Sequence, residues 1–350
     1  MDYRQLGRSE FRVSAFGLGV MTFGAQTGED DAFRQLDLAF GAGINFFDTA
    51  ENYPAPVEAA TQGRSEESLG RWIKARGVRN KVVIATKVAG PGNGPGDMTH
   101  IRGAKRCLDR ANITAAVDAS LRRLGVEAID LYQLHWSERP ITTLRRARFS
   151  HIADTPDLVP LEETLEALTE QVTAGKIRQI GICNESPWGA MHYLALSRQM
   201  GLARIASIQN SYSLLDRSFE IGLAEISIRE QLGLIGFSPL SSGLLTGKYR
   251  NNAAPIAGSR SSLFAGFETR FAPDVLAAAH EYAAIAEQHG LEPAHMALAF
   301  AAQQPFMTSV LMAASSAAQL AHNLGAIEVK LSKDIVKQIN TVHDSHPNPR

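Results

Sequence analysis

The sequence predicts an α/β protein, a single (β/α)8 barrel over residues 1–350 with an N-terminal hairpin and extra C-terminal helices. Two observations carry that expectation. Eight short apolar runs of strand length alternate with amphipathic helical stretches, and the 350 residues accommodate eight such units with insertions. No segment is rich enough in Pro, Gly or Ser to separate the chain into domains. A doubly wound open sheet shares the alternation and stands as the alternative fold.

Taken in order, Tyr3 to Val13 reads as a small hairpin turning at Gly7 to Ser9. The strands are expected at Ala15 to Leu18, Asn45 to Phe47, Val82 to Thr86, Ile129 to Gln133, Arg178 to Ile182, Ala206 to Gln209, Leu234 to Phe237 and Thr308 to Met312. Between them, helical spacing of apolar residues predicts helices at Asp31 to Ala42, Glu66 to Ala75, Asn112 to Leu124 and Pro160 to Ala174. Further helices are expected at Pro187 to Met200, Ser218 to Gln231, Pro273 to His289 and Ala317 to Gly325. Gly41-Ala42-Gly43, Ala174-Gly175 and His289-Gly290 mark helix stops. Pro293 to Gln303 and Lys333 to His343 supply the additional helices.

A formal net charge of −1 gives no global field for nucleic acid or an anionic membrane. No apolar run is long enough to cross a bilayer, and the polar start lacks a signal-type core. Cys107 and Cys183 lie far apart, which favours a reducing cytoplasm over a disulfide framework. No metal site is expected. His343-x-x-His346 falls in a polar tail read as disordered, and His280, His289 and His295 lack metalloprotease spacing. Glu66-Glu67 and Glu162-Glu163 fall in first helical turns, where negative charge complements the helix dipole.

Four residues form a candidate reacting set. In an eight-stranded barrel, chemistry gathers at the C-terminal strand ends. Asp48 closes the second barrel strand, Lys87 the third and His135 the fourth, with Tyr53 in the loop after Asp48. Tyr53 would act as general acid toward a carbonyl oxygen. A free phenol, with a pKa of about 10, is too weak for that, so a neighbouring ammonium, Lys87, would lower it. Asp48 would pair with Lys87, while His135 would hydrogen-bond the substrate oxygen or relay a proton. Val88 to Ala111, with its Gly90–Gly96 run, and Ser137 to Val159, with Arg145, Arg146 and Arg148, are long enough to rise over the same rim.

Asp48-Thr49-Ala50-x-x-Tyr53, Ala85-Thr86-Lys87 and Leu131-Tyr132-Gln133-Leu134-His135 resemble the catalytic tetrad of the aldo-keto reductase superfamily. Within it the chain looks most like a bacterial, Tas-like branch related to potassium-channel β subunits. Gly19–Gly24, Gln209–Leu215 and Leu244–Tyr249 carry that narrower likeness. The resemblance implies a (β/α)8 barrel, reduction of aldehydes or ketones, and NADPH as cofactor, with NADH possible.

Residues also argue for a cofactor directly. Gly17-x-Gly19 fails the dinucleotide fingerprint because position 22 is Thr22. Ser238 to Lys248 offers small residues and a cation suited to a pyrophosphate, and Ser315 and Ser316 precede a helix able to take a phosphate. The resemblance further implies that Cys183, Asn184 and Gln209 hold the nicotinamide carboxamide and that Phe237 stacks on its ring. It places Lys248 and Arg260 near phosphates, and Ser315, Gln319 and Asn323 at the adenosine end. Met21, Asp48, Ser238, Pro239, Leu240 and Gly243 complete that implied set. Departures from the pattern are Cys183 for a common Ser, Ala313 for a frequent Gly, and Ser315 where many members carry Arg or Lys.

Met21, Phe23, Tyr53, Trp136, Trp188 and Tyr212 fall in loops after strands and suggest a partly apolar pocket for a small carbonyl substrate. Two other functions share these residues: a Schiff-base lyase using Lys87, and a nicotinamide-binding, redox-sensing subunit.

Overall fold

The computed structural model describes residues 1–92, 97–103, 106–141, 151, 153–155, 157–249, 256, 259, 262 and 271–349. Two short antiparallel strands, β1 (Tyr3–Gln5) and β2 (Arg12–Ser14), form the hairpin, in register Tyr3 with Ser14. Eight parallel strands follow: β3 (Phe16–Gly19), β4 (Phe46–Asp48), β5 (Val83–Val88), β6 (Ile129–Leu134), β7 (Ile177–Cys183), β8 (Ile205–Ser211), β9 (Gly233–Phe237) and β10 (Met307–Met312). They close in sequence order, β10 pairing back onto β3, which makes a (β/α)8 barrel.

Helices α1 (Glu29–Gly41), α2 (Arg64–Arg76), α3 (Arg110–Leu124), α4 (Leu161–Thr173) and α5 (Pro187–Met200) connect successive strands. Then come α6 (Leu223–Arg229), α7 (Pro273–Gln288), α8 (Pro293–Ala302), α9 (Ala317–Leu324) and α10 (Lys333–Ser345). Local chemistry sets their ends. Asp109, Ser186, Ser316 and Ser332 each accept a bond from an amide three residues on, an N-cap that satisfies an otherwise orphaned N–H.

Two expectations are corrected. The helix read over Ser218 to Gln231 is a 3-10 turn, Ser218–Glu220, then α6, interrupted at Gly222 with φ 86°. That backbone conformation suits glycine and stops a continuous helix. The C-terminal tail is not loose. His346 meets Asp274 at 2.5 Å and Glu281 at 3.2 Å, and Asn348 Oδ1 accepts from the Arg217 amide at 2.6 Å. Arg145, Arg146, Arg148, Arg260 and much of the Gly90–Gly96 run lie outside the described residues. Among the described residues no helix is long and apolar enough to cross a membrane, and no group of three or more His, Cys, Asp or Glu could hold a metal ion.

The core divides into an outer and an inner region because strand side chains alternate across the barrel wall. Outward residues such as Phe47, Ile84 and Tyr132 pack beneath the helices. Inward residues Phe46, Val83, Ala85, Leu131, Ile235 and Leu311 fill the lumen together with Leu6 and Val13 of the hairpin. The hairpin turn presses against the barrel floor, where a Cβ on Gly7 would lie 2.1 Å from the Ala206 carbonyl oxygen. Continuing the inward rows upward leads from Phe46 to Asp48, from Val83 and Ala85 to Lys87, and from Leu131 to Gln133. The apolar lumen therefore ends in a polar layer.

Candidate active site

Four sequence-predicted residues meet on that layer. Lys87 Nζ donates to Asp48 Oδ1 at 2.5 Å and to the Thr49 carbonyl at 2.7 Å, with its side chain fully buried. The same ammonium lies 5.2 Å from the centroid of the Tyr53 ring. Tyr53 OH and His135 Nε2 are 3.5 Å apart, their rings edge to face. The other Asp48 oxygen accepts from Gln209 Nε2 at 2.8 Å and Gln133 Nε2 at 3.1 Å. Asp48 is thereby fixed between three donors. Gln133 had no role read from the sequence, although two-residue alternation with Leu131 puts it on the inward row.

Burial alone would push the Lys87 ammonium down. The Asp48 carboxylate outweighs that, with Tyr53 and Cys183 assisting, and its pKa ends raised. His135 moves the other way: burial first, then the Lys87 charge, hold its imidazolium well below the usual 6.5. A neutral imidazole follows at ordinary pH. Its Nδ1 is buried with no hydrogen-bond partner among the described residues. A proton on Nε2 leaves Nδ1 as a bare lone pair and avoids an orphaned buried N–H.

The His135 shift has a stability consequence. The unfolded chain takes up this proton near pH 6.5 and the folded chain only at lower pH. Stability therefore falls as pH drops through that interval, by at most about 1.4 kcal/mol per pH unit from this group. Urea unfolding at pH 5 and 7 should show a smaller acid-side loss for His135→Asn than for the unaltered protein; equal losses would mean His135 is not buried and neutral.

Around this centre the predicted cofactor residues occupy successive strand ends. Cys183 Sγ lies 3.7 Å from Gln209 Oε1, and Asn184, with φ 54°, donates through Nδ2 to the His135 carbonyl at 2.9 Å. Phe237 tops the β9 inward row against the luminal cluster. After it, Ser238, Ser241, Ser242, Gly243 and Gly247 all have positive φ in a segment carrying the 3-10 turns of Ser241–Thr246. Such left-handed runs shape concavities lined by backbone amides. A Cβ on Gly243 would fall 2.8 Å from Lys248 Nζ, so glycine leaves room for that cation. At the far end, Ser315 N and Oγ both donate to Gln319 Oε1, at 2.8 and 3.1 Å. Asn323, four residues further along the same helix face, is buried with Nδ2 unpartnered among the described residues. Met21 is half-buried, its carbonyl accepting from Ala55 at 3.0 Å.

The Aldo/keto reductase family profile matches residues 15–344. The chain belongs to the aldo/keto reductase family. Membership brings oxidoreduction of carbonyls. Among similar proteins, Protein tas of Escherichia coli (strain K12) is 44% identical, covering 100% of this chain and 99% of its own length. The uncharacterized oxidoreductase YrpG of Bacillus subtilis (strain 168) is 32% identical over 100% and 97%. An aldo-keto reductase of Babesia bovis is 34% identical over 75% and 96%.

The rim of this aldo/keto reductase departs from the expected apolar lining at two residues. Phe23 and Tyr212 are buried in the outer core, Tyr212 stacked on Phe300 with its hydroxyl bonded to Glu220 at 2.7 Å. Trp136 donates to the Pro91 carbonyl at 2.9 Å and lies against Gly90, where a Cβ would come within 2.6 Å of its Nε1. Glu66 does more than complement a dipole. It is fully buried and accepts from Thr86 Oγ1 at 2.6 Å and Arg123 Nε at 2.5 Å. Glu51, inside the Asp48–Tyr53 motif, was given no role from sequence. Its carboxylate accepts from the Ala89 amide at 2.5 Å and pairs with Arg102, fastening the loop after β5 to the loop that carries Tyr53.

Proposed function

We propose that the chain is an NADP(H)-dependent reductase of aldehydes or ketones with Tyr53 as general acid. The observation that carries the reading is the buried Asp48–Lys87 pair beneath a Tyr53 hydroxyl that faces His135 Nε2. A bound nicotinamide would supply the hydride to the carbonyl carbon. Tyr53 gives its phenolic proton to the carbonyl oxygen, and the Lys87 ammonium steadies the phenolate left behind. Asp48, held by Gln133 and Gln209, keeps Lys87 charged and aimed. Neutral His135 serves as a hydrogen-bond donor to the substrate oxygen through Nε2 rather than as a proton source.

The residues fit the cofactor. Asn323 Nδ2 is a buried donor in want of an acceptor, and the Gly243–Lys248 cradle leaves room for a cation at a left-handed turn. Asn184, Gln209 and weakly donating Cys183 would hold the carboxamide, with Phe237 against the ring. Met21, Ser238, Pro239, Leu240, Gly243, Lys248, Ser315, Gln319 and Asn323 would line the rest. A nucleophilic Lys87 is disfavoured, since a Schiff-base lysine must shed its proton and this one is held as an ammonium. The reading takes residues 1–350 as one catalytic domain in the cytoplasm, a setting that two cysteines far apart in the chain suit.

The reading is tested by NADPH and NADH oxidation against a panel of aldehydes, ketones, quinones and sugars. Binding of neither cofactor would end it. Choice between the two cofactors hinges on the start of α9. There the Ala317 amide points to Asp31 Oδ1 at 3.4 Å, so a carboxylate already stands where a second phosphate would be drawn. Asp31→Asn is expected to raise affinity for NADPH relative to NADH by several-fold, about 1 kcal/mol of helix-terminus electrostatics. An unchanged ratio of the two dissociation constants would remove Asp31 from cofactor selection.

A further inference from the structure

Arg139 lies four residues beyond His135 in the loop after β6. Its guanidinium forks onto Glu185, Nη2 to Oε1 at 2.5 Å and Nη1 to Oε2 at 3.1 Å, and also reaches Ser137 Oγ at 3.1 Å and Ser186 Oγ at 3.0 Å. Glu185, only 3% exposed, is gripped through its backbone as well. Its amide donates to Asn210 Oδ1 at 3.1 Å, and Asn210 Nδ2 donates to its carbonyl at 3.0 Å. Directly before Glu185 stands Asn184, whose side chain holds the His135 carbonyl. Three successive strand ends, β6, β7 and β8, are thus joined through one residue, Glu185, by its carboxylate on the β6 side and its backbone on the β8 side.

The sequence makes room for this pair. A Cβ on Gly189, in the first turn of α5, would lie 2.2 Å from Arg139 Nη2 and 2.4 Å from Glu185 Cδ. Arg139 also covers the Trp188 ring at 4.8 Å, and that ring stacks on His192 at 4.7 Å. A buried ion pair is a poor route to stability, because desolvation offsets most of its Coulombic gain. Fixing a geometry is the better-supported use of a two-pronged Arg–carboxylate contact.

We infer that the Arg139–Glu185 clasp is a positioning device that fixes His135 and Asn184 in one register. The hydrogen-bond donor to the substrate oxygen and the holder of the nicotinamide carboxamide then keep a set separation. The inference rests on the reductase reading above. Neither Arg139 nor Glu185 touches reacting atoms; both act through their neighbours.

Three substitutions test it from different sides. Glu185→Gln keeps the shape and removes the charge, Arg139→Lys keeps the charge and removes the fork, and Gly189→Ala pushes the pair apart with both charges present. Each is compared with the unaltered protein in three readouts: NADPH affinity without substrate by fluorescence titration, kcat and KM with the best carbonyl of the panel, and the His135 imidazole 15N signals of the cofactor-free protein. Cooperative urea unfolding identifies folded variants, and Gly189→Ala serves if Glu185→Gln does not fold. Expected are at least about tenfold weaker NADPH binding, a comparable or larger fall in kcat, and displaced His135 signals, as a misplacement of ångström scale produces. Folded variants that lose only melting temperature, with affinity, kcat and His135 signals unmoved, would overturn the clasp. If the unaltered protein binds no nicotinamide, the reductase reading falls separately, and unmoved His135 signals alone then overturn the clasp.

Discussion

Replacing Tyr53 with phenylalanine is expected to lower turnover by about 10²–10⁴-fold, the usual worth of one positioned general acid. Nicotinamide affinity should change little. The ring is retained, so its edge-to-face contact with His135 and its place above the Lys87 ammonium persist. Only the hydroxyl, the proposed proton donor, is lost. The diagnostic is a split between parameters: a large fall in kcat beside a cofactor dissociation constant within a few-fold of the original. Retained turnover would show that another group, or water, protonates the product oxygen.

Asp48→Asn should damage both stability and activity. Lys87, Gln133 and Gln209 all point donors at the Asp48 carboxylate, and an amide in its place answers three donors with one acceptor. Removing one partner of a buried ion pair costs about 3–5 kcal/mol. The cost should largely vanish in the double variant Asp48→Asn with Lys87→Met, which buries no charge, while turnover stays lost. Urea unfolding of the single and double variants decides the point; a single variant as stable as the parent would mean the pair is solvated. The pH dependence has a definite sign. Because the folded pKa of Lys87 is raised, the pair's contribution is present below the lysine's unfolded value and disappears as pH rises through the folded one. Asp48→Asn should therefore flatten the alkaline limb of the stability curve.

Much of this site was legible in the sequence because barrels convert periodicity into place. Once Phe46, Ala85 and Leu131 are read as inward, residues two positions on are inward too, and Asp48, Lys87 and Gln133 must converge. Asp109 and Ser186 bond amides only three residues on, yet neither cap was read from the sequence. What escaped are contacts whose partners are distant in sequence. Nothing near Glu66 announces Thr86 and Arg123, and nothing near Glu185 announces Arg139. Aromatic lining was misjudged for a related reason. Tyr212 follows a strand, but whether its ring turns to the mouth or to the core depends on Phe300 and Phe306, nearly a hundred residues later. The anchored His346 belongs to the same class, set by two carboxylates on another helix, whereas the break at Gly222 is a single local backbone angle.

The hairpin beneath the barrel has a consequence for traffic. With Leu6 and Val13 seated among the luminal side chains and the Gly7 turn against Ala206, the lumen is stoppered from below. Lys87 and Asp48 lie above that floor, both buried. On the proposed reading, a proton given up by Tyr53 would be replaced from the mouth, the side from which the alcohol would leave. Departure and recharging would then share one door.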